Sequence, residues 1–180
     1  EGFSTLCVDP APPVTDEAAA GADLRSTAFL APSVDLLDRI GLWDRLSPFA
    51  TPLQVMRIVD AGGARPEARL TRDFDAAEIG DRPFGWNLPN WLLRREISQR
   101  LGELQAVRFQ PGIATTEVVA RSEGAIVSLS DGRRLRAKLL IGADGRDSPV
   151  RRAVGIGART FRYGQKALAF AVTHAVPHQN

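Results

Sequence analysis

At 180 residues, 44% of them hydrophobic, the chain is long enough to bury the core of one domain or of parts of two. Its 23 basic and 21 acidic side chains leave a net charge of +2 and are interspersed without a long like-charge block, which argues against a nucleic-acid partner. One cysteine (Cys7), two histidines (His174 and His178) and no Cys-x-x-Cys pair exclude an internal disulfide and make no zinc pattern, so no metal site is expected.

In chain order, Ser4 to Val8 is a short β-type run closed by Asp9 and Pro10, with Cys7 expected in the core. A Pro- and Ala-rich loop follows from Ala11 to Asp23. From Ser33, a good N-cap, the positions Val34, Leu37 and Ile40 keep a helical period that Gly41 stops, and a second short helix is expected through Leu42 to Leu46. Leu53 to Asp60 and Ala68 to Phe74 read as a hairpin turned at Gly62-Gly63. Phe84 to Leu88 is a further strand. Pro89-Asn90 then opens the clearest helix, with Leu93, Ile97, Leu101 and Leu104 on one face.

After a short strand from Val107 to Phe109, three strands are expected as a β-meander: Thr115 to Arg121, Ala125 to Leu129 and Leu135 to Ile141. Glu123-Gly124 and Asp131-Gly132 supply the turns. The last strand runs into "LLIGADGRDSPVRRAVGI", where Gly142, Asp144 and Gly145 let the backbone turn sharply and Ser148 can cap a short basic helix. Main-chain N–H groups and one carboxylate would there come close to a bound molecule, although a strand-to-helix junction uses Gly and Asp for conformational reasons as well. Strand character resumes from Ala167 to Thr173. No run of about 18 apolar residues and no signal-peptide pattern are present, so a cytoplasmic location is expected.

The segment Leu139 to Arg152 resembles the Asp-Gly motif of the flavin-dependent aromatic hydroxylases, the group that includes p-hydroxybenzoate hydroxylase and the ubiquinone-biosynthesis hydroxylases. Three more stretches resemble that family in its order: Ser4 to Asp9, "RSTAFLAPSVDLLDRIGLWDRL" and "LPNWLLRREISQRL". The tail "YGQKALAFAVTHAVPHQN" is most similar to the ubiquinone-biosynthesis branch. The resemblance implies an α/β fold: part of a split Rossmann-like FAD-binding domain with a β-meander (1–53 and 84–158), plus part of a β-sheet substrate domain (54–83 and 159–180).

It further implies FAD as cofactor and NAD(P)H as co-substrate. Asp9 would take the adenosine ribose hydroxyls, Arg25 would reach the FAD, Asn90 would approach its flavin side, and Gly142, Asp144 and Gly145 would lie near its phosphates and ribose. Each has a plainer reading: Asp9 ends a strand, Arg25 is a solvated arginine, and Asn90 is a helix N-cap. His174 and His178 are ordinary strand and loop histidines. No residue is assigned as a catalytic base.

The implied reaction is hydroxylation of a phenolic ring, a ubiquinone precursor, with dioxygen as the oxygen source. A lipophilic substrate of that kind implies peripheral membrane association. The family's glycine-rich turn, due about 20 residues before Asp9, and its second FAD motif do not occur, so the expectation is an internal part of a longer protein, inactive by itself. Two other readings stay open: a cofactor-free or non-enzymatic module of this fold, and a nicotinamide-dependent Rossmann dehydrogenase. Against the dehydrogenase, "GADG" follows a meander rather than a first strand.

Overall fold

The computed structural model describes residues 2–62, 64–65, 67–166 and 174–176, and the chain divides into two compact units. The first is built from the described residues up to Pro13 and from Leu101 to residue 166; the second runs from Val14 to Arg100 and includes residues 174–176.

In the first unit, β1 (Thr5–Asp9) pairs in parallel with a strand that begins at Val107, in the register Thr5↔Val107 to Asp9↔Pro111. Parallel neighbours need a long crossover connection, and residues 10–106, which include Val14 to Arg100 of the second unit, supply it. Three antiparallel strands follow in chain order, Thr115–Arg121, Gly124–Leu129 and Arg134–Ala137, as the turn residues predict. The middle one alternates strictly, burying Ala125, Val127 and Leu129, and Val8, Ile113, Leu135 and Leu140 pack against that row. This period of two makes the meander a lid on β1.

The second unit begins with β2 (Ser26–Leu30), which leads directly into α1 (Ala31–Arg39) and the single-turn helix α2 (Trp43–Leu46). The strand β3 (Thr51–Leu53) is followed by β4 (Val55–Asp60) and β5 (Leu70–Asp75), an antiparallel hairpin that forms a sheet of its own. Arg57 and Asp73 lie opposite each other in that hairpin and form a bidentate pair at 2.7 Å. Next, β6 (Gly85–Pro89) is inserted between β2 and β3, antiparallel to both, and α3 (Asn90–Glu103) grows directly from its end. Leu37, Leu42, Leu46, Leu88 and Leu92 close a core under this sheet, flanked by Phe29, Trp43, Trp91, Leu93 and Ile97. In chain order the remaining strands are β7 (Val107–Pro111), β8 (Thr115–Arg121), β9 (Gly124–Leu129) and β10 (Arg134–Ala137), followed by the short helix α4 (Pro149–Ala153).

The α/β class and the meander agree with the sequence expectation, and five details differ. Helix α1 starts three residues early, with Leu30 rather than Ser33 at its cap, because Pro32 presets the first turn. Its core side is Val34 and Leu37, and Ile40 is exposed. On α3 the buried centre is Leu92 and Glu96, with Leu93 and Ile97 at its margin. Cys7 is exposed, since Val8 takes the meander side of β1 and its neighbour must point the other way.

The last difference concerns Leu139 to Ile141, the end of the strand expected from Leu135 to Ile141. The strand β10 ends at Ala137, and no described segment pairs with residues 139–141. Their alternation survives without a ladder: Leu140 packs on the meander, while Leu139 and Ile141 are 75% and 76% exposed. The expected strand from Ala167 to Thr173 lies outside the described residues.

Candidate functional site

The register of β2 on β6 builds the first cluster. Ser26 is paired with Pro89, so the next residues outward, Arg25 and Asn90, face each other, and the Asn90 N–H donates to the Arg25 carbonyl at 2.9 Å. Between them sits Asp23, a residue that no motif in the sequence singles out. Its carboxylate accepts from Arg25 Nε and Nη2, both at 2.8 Å, and from Asn90 Nδ2 at 3.0 Å. Arg94, one turn into α3, brings Nη2 to 3.6 Å of the same carboxylate. On the far side, the Thr27 hydroxyl donates to Asn90 Oδ1 at 2.6 Å, which fixes which end of the amide points at Asp23.

Both ends of the Asn90 side chain are therefore engaged within the protein. Arg25 is different: Asp23 holds one edge of its guanidinium, while the side chain is 70% exposed and its remaining N–H groups are turned to solvent. Two cations share one carboxylate, so the cluster carries net positive charge. A fixed guanidinium edge with outward donors suits an anionic group with several acceptor oxygens, as a diphosphate has, and disfavours a cationic one.

The same bonds hold the Asp23 carboxyl far below the usual carboxylate range, the Arg25 side chain being the largest cause and Asn90 the next. A folded-state pKa depressed in this way contributes stability that is present above the unfolded value and lost only as pH falls through the folded one. Arg25, whose own pKa the same pair raises, keeps its charge throughout. The gap in melting temperature between the parent and Asp23→Asn should accordingly stay constant from neutral pH to about pH 4 and close only in stronger acid. Paired thermal melts across that range check it.

The remaining candidate residues lie in the first unit. Asp9 ends β1, at the carboxyl end of a parallel strand, where α/β sheets place ligands. Its Oδ1 accepts from the Ala11 N–H at 2.9 Å, and the side chain is exposed. Farther along, Asp144 Oδ2 accepts from the Val150 N–H at 2.9 Å, and Ser148 Oγ accepts from the Arg151 N–H at 2.9 Å. Ser148 thus caps α4 as the sequence predicts. The Ser148 hydroxyl, and then the Val150 N–H, keep the Asp144 carboxyl below its ordinary value.

The Asp144 carboxylate is therefore engaged in closing its own loop. Gly145 has φ +81°, and a Cβ on Gly142 would stand 2.9 Å from Val150 Cγ1, so both glycines are demanded by that closure. The loop borders a cavity of about 680 Å³ whose wall includes Arg121, Lys138, Gly142, Asp144, Ser148 and Arg151.

Asp9, Gly142, Asp144 and Gly145 lie in one unit and Arg25 and Asn90 in the other. Asp23 was recoverable from sequence only as an Asp-x-Arg pair, because what gives it weight is a partner 67 residues away. Among the described residues there is no group of His, Cys, Asp and Glu able to hold a metal ion, and no helix is long and apolar enough to cross a membrane. His174 Nδ1 lies 2.6 Å from the Val176 carbonyl oxygen, and His178 falls outside the described residues.

Comparison with known proteins adds the context. A sequence model described as the FAD binding domain matches residues 2–179. The chain is 39% identical to the ubiquinone hydroxylase UbiL of Rhodospirillum rubrum over 181 residues, covering 99% of this chain and 40% of that protein. It is 30% identical to the 3-demethoxyubiquinol 3-hydroxylase of Escherichia coli, covering 95% of this chain and 42% of that one. The chain thus spans about two fifths of the length of these relatives. A variant of PqsL from Pseudomonas aeruginosa shares the fold, with a TM-score of 0.71 at 22% identity over 90% of this chain and 42% of that one.

Proposed function

Since the chain belongs to the family of FAD-binding domains, we propose that it supplies the FAD-contacting part of a monooxygenase that hydroxylates the phenolic ring of a ubiquinone precursor, with NAD(P)H as electron donor. The observation that carries this reading is the Arg25 guanidinium, held on one edge by Asp23 and open to an anionic group on the other. Support for the substrate class comes from the relatives named as ubiquinone hydroxylases.

In this reading Arg25 engages an anionic part of FAD. Asn90 is held by Thr27 and Asp23 and so keeps the start of α3 in place beside it. Asp9 offers an exposed carboxylate at a strand end, suited to accept from the paired hydroxyls of a ribose. Gly142, Asp144 and Gly145 contribute backbone shape, with the Asp144 carboxylate tying the loop to α4 so that main chain rather than side chains meets the cofactor. When bound, FAD supplies the redox chemistry that activates dioxygen; the protein positions the ring and keeps bulk water away. Residues 1–53 and 84–158 serve the cofactor, and 54–83 with 159–180 serve the substrate. The separate β4–β5 hairpin, with its exposed Met56, Ile58 and Leu70, is suited to the second role. A lipophilic precursor would bring the protein to the membrane surface.

The test is the full-length protein, purified and examined for flavin absorbance, then incubated with a ubiquinone-precursor phenol, dioxygen and NADH or NADPH. The expected result is a yellow protein that releases ring-hydroxylated product. Replacement of Asp144 by Ala should weaken flavin retention by loosening the loop. A colourless protein with no affinity for added FAD refutes the assignment; a flavoprotein that oxidises NAD(P)H without hydroxylating the phenol refutes the substrate class.

A further inference from the structure

We propose that Asp23 is a positioning residue for the cofactor: its carboxylate fixes the Arg25 guanidinium, and through Asn90 the start of α3, in the arrangement that receives an anionic group of FAD. The inference rests on the reading that Arg25 faces FAD, and it adds the residue that makes Arg25 effective.

The physical case begins with a charge that ought to be harmful. A carboxylate beside an anion-binding guanidinium repels the incoming anion, so charge alone would favour its absence. Yet Asp23 is the most connected side chain of the cluster and only 12% exposed. What it offers in return is order. An arginine as exposed as Arg25 would otherwise sample many rotamers, and freezing one on binding weakens affinity by up to about tenfold. A fork already gripped through Nε and Nη2 has its outer donors oriented before the ligand arrives.

The bonds continue beyond the ion pair. Thr27 fixes the Asn90 amide, Asn90 donates to Asp23, and Asp23 holds Arg25, so a strand of the sheet and the first residue of α3 are tied to one guanidinium. The Arg25 N–H also points at Asp23 Oδ1 at 3.3 Å, locking the carboxylate to the same turn of chain. Arg94 offsets part of the negative charge without taking the place of either partner.

The experiment is a double-mutant cycle on the full-length protein freed of flavin. FAD dissociation constants are measured by fluorescence titration for the parent, Asp23→Asn, Arg25→Ala and the double variant, and the melting temperature of each apoprotein is recorded. Asp23→Asn, nearly isosteric, should weaken FAD binding about tenfold in the parent and little in the Arg25→Ala background, because residues acting through one another are not additive. Asp23→Glu should recover part of the loss. Leu88→Ala, a core truncation whose side chain makes none of the hydrogen bonds among Asp23, Arg25 and Asn90, serves as a stability control: it should lower the melting temperature while leaving FAD affinity within about twofold at a temperature where it is folded.

If Asp23→Asn binds FAD as tightly as the parent or more tightly, the carboxylate acts as a charge only and the proposal is overturned. It is overturned equally if the loss is as large without Arg25, or if the Leu88→Ala control loses as much affinity. Should Arg25→Ala itself bind FAD like the parent, the placement of Arg25 on the cofactor falls, and this proposal with it. Loss in Arg25→Ala beside no change in Asp23→Asn overturns this proposal alone.

Discussion

Replacing Gly85 with alanine should destabilise the second unit by about 3 kcal/mol, the upper end of what overpacking costs, and should disturb the Arg25 cluster with it. Gly85 is a buried residue of β6, the middle strand of its sheet, paired with Leu30 on one side and Leu53 on the other. A Cβ there would stand 2.2 Å from the Phe29 carbonyl oxygen and 2.9 Å from Leu30 Cα. Both are backbone atoms, so no rotamer change relieves the overlap, and β2 must move away from β6. The segment just before β2 carries Asp23 and Arg25, and the Asn90 N–H to Arg25 carbonyl bond lies at the end of the same ladder. Urea titration should show a lower midpoint, and FAD affinity should fall even where the variant is folded. An alanine variant with the parent's midpoint would mean that β2 does not run close enough to β6 for that overlap to occur.

Leu88→Ala should cost about as much, roughly 3 kcal/mol, for a different reason: truncating a well-buried leucine loses transfer free energy and leaves a cavity. Leu88 is fully buried and lies in the core with Leu37, Leu42, Leu46 and Leu92. Melting should drop by about 10 °C, given 2–4 °C per kcal/mol for a chain of this size. The ladder between β2 and β6 needs no side chain at this position, so the hydrogen bonds among Asp23, Arg25 and Asn90 should persist. Measured side by side, the two variants separate loss of stability from loss of site geometry. Equal loss of FAD affinity in both would show that the cluster depends on core packing as a whole.

Much of the candidate site was legible residue by residue and not as an arrangement. Asp9, Arg25, Asn90, Gly142, Asp144 and Gly145 stand out by type and by resemblance, and the Ser148 cap follows from its place before Pro149. Asp23 was not legible, because β2 was not: Ser26 to Leu30 shows no alternation that separates it from a loop, and its burial pattern is almost wholly exposed. Only its pairing with β6 makes it a strand, and only that pairing brings Asp23 and Arg25 to Asn90.

What the sequence determined alone are the features governed by neighbours a few residues apart. They include the hairpin of β4 and β5, the meander with its Gly124 and Gly132 turns, the stop of α1 near Gly41 and the passage from β6 into α3. Turn residues, caps and hydrophobic period act within such short spans, and they act the same way wherever the segment lies. Tertiary structure decided the rest: which face of β1 is covered, so that Val8 is packed and Cys7 exposed; where β10 stops, leaving Leu139 and Ile141 unpaired; and that Asn90 joins the Asp23–Arg25 pair. Each depends on a partner many residues away, and a strand or an ion pair has no existence until that partner is beside it.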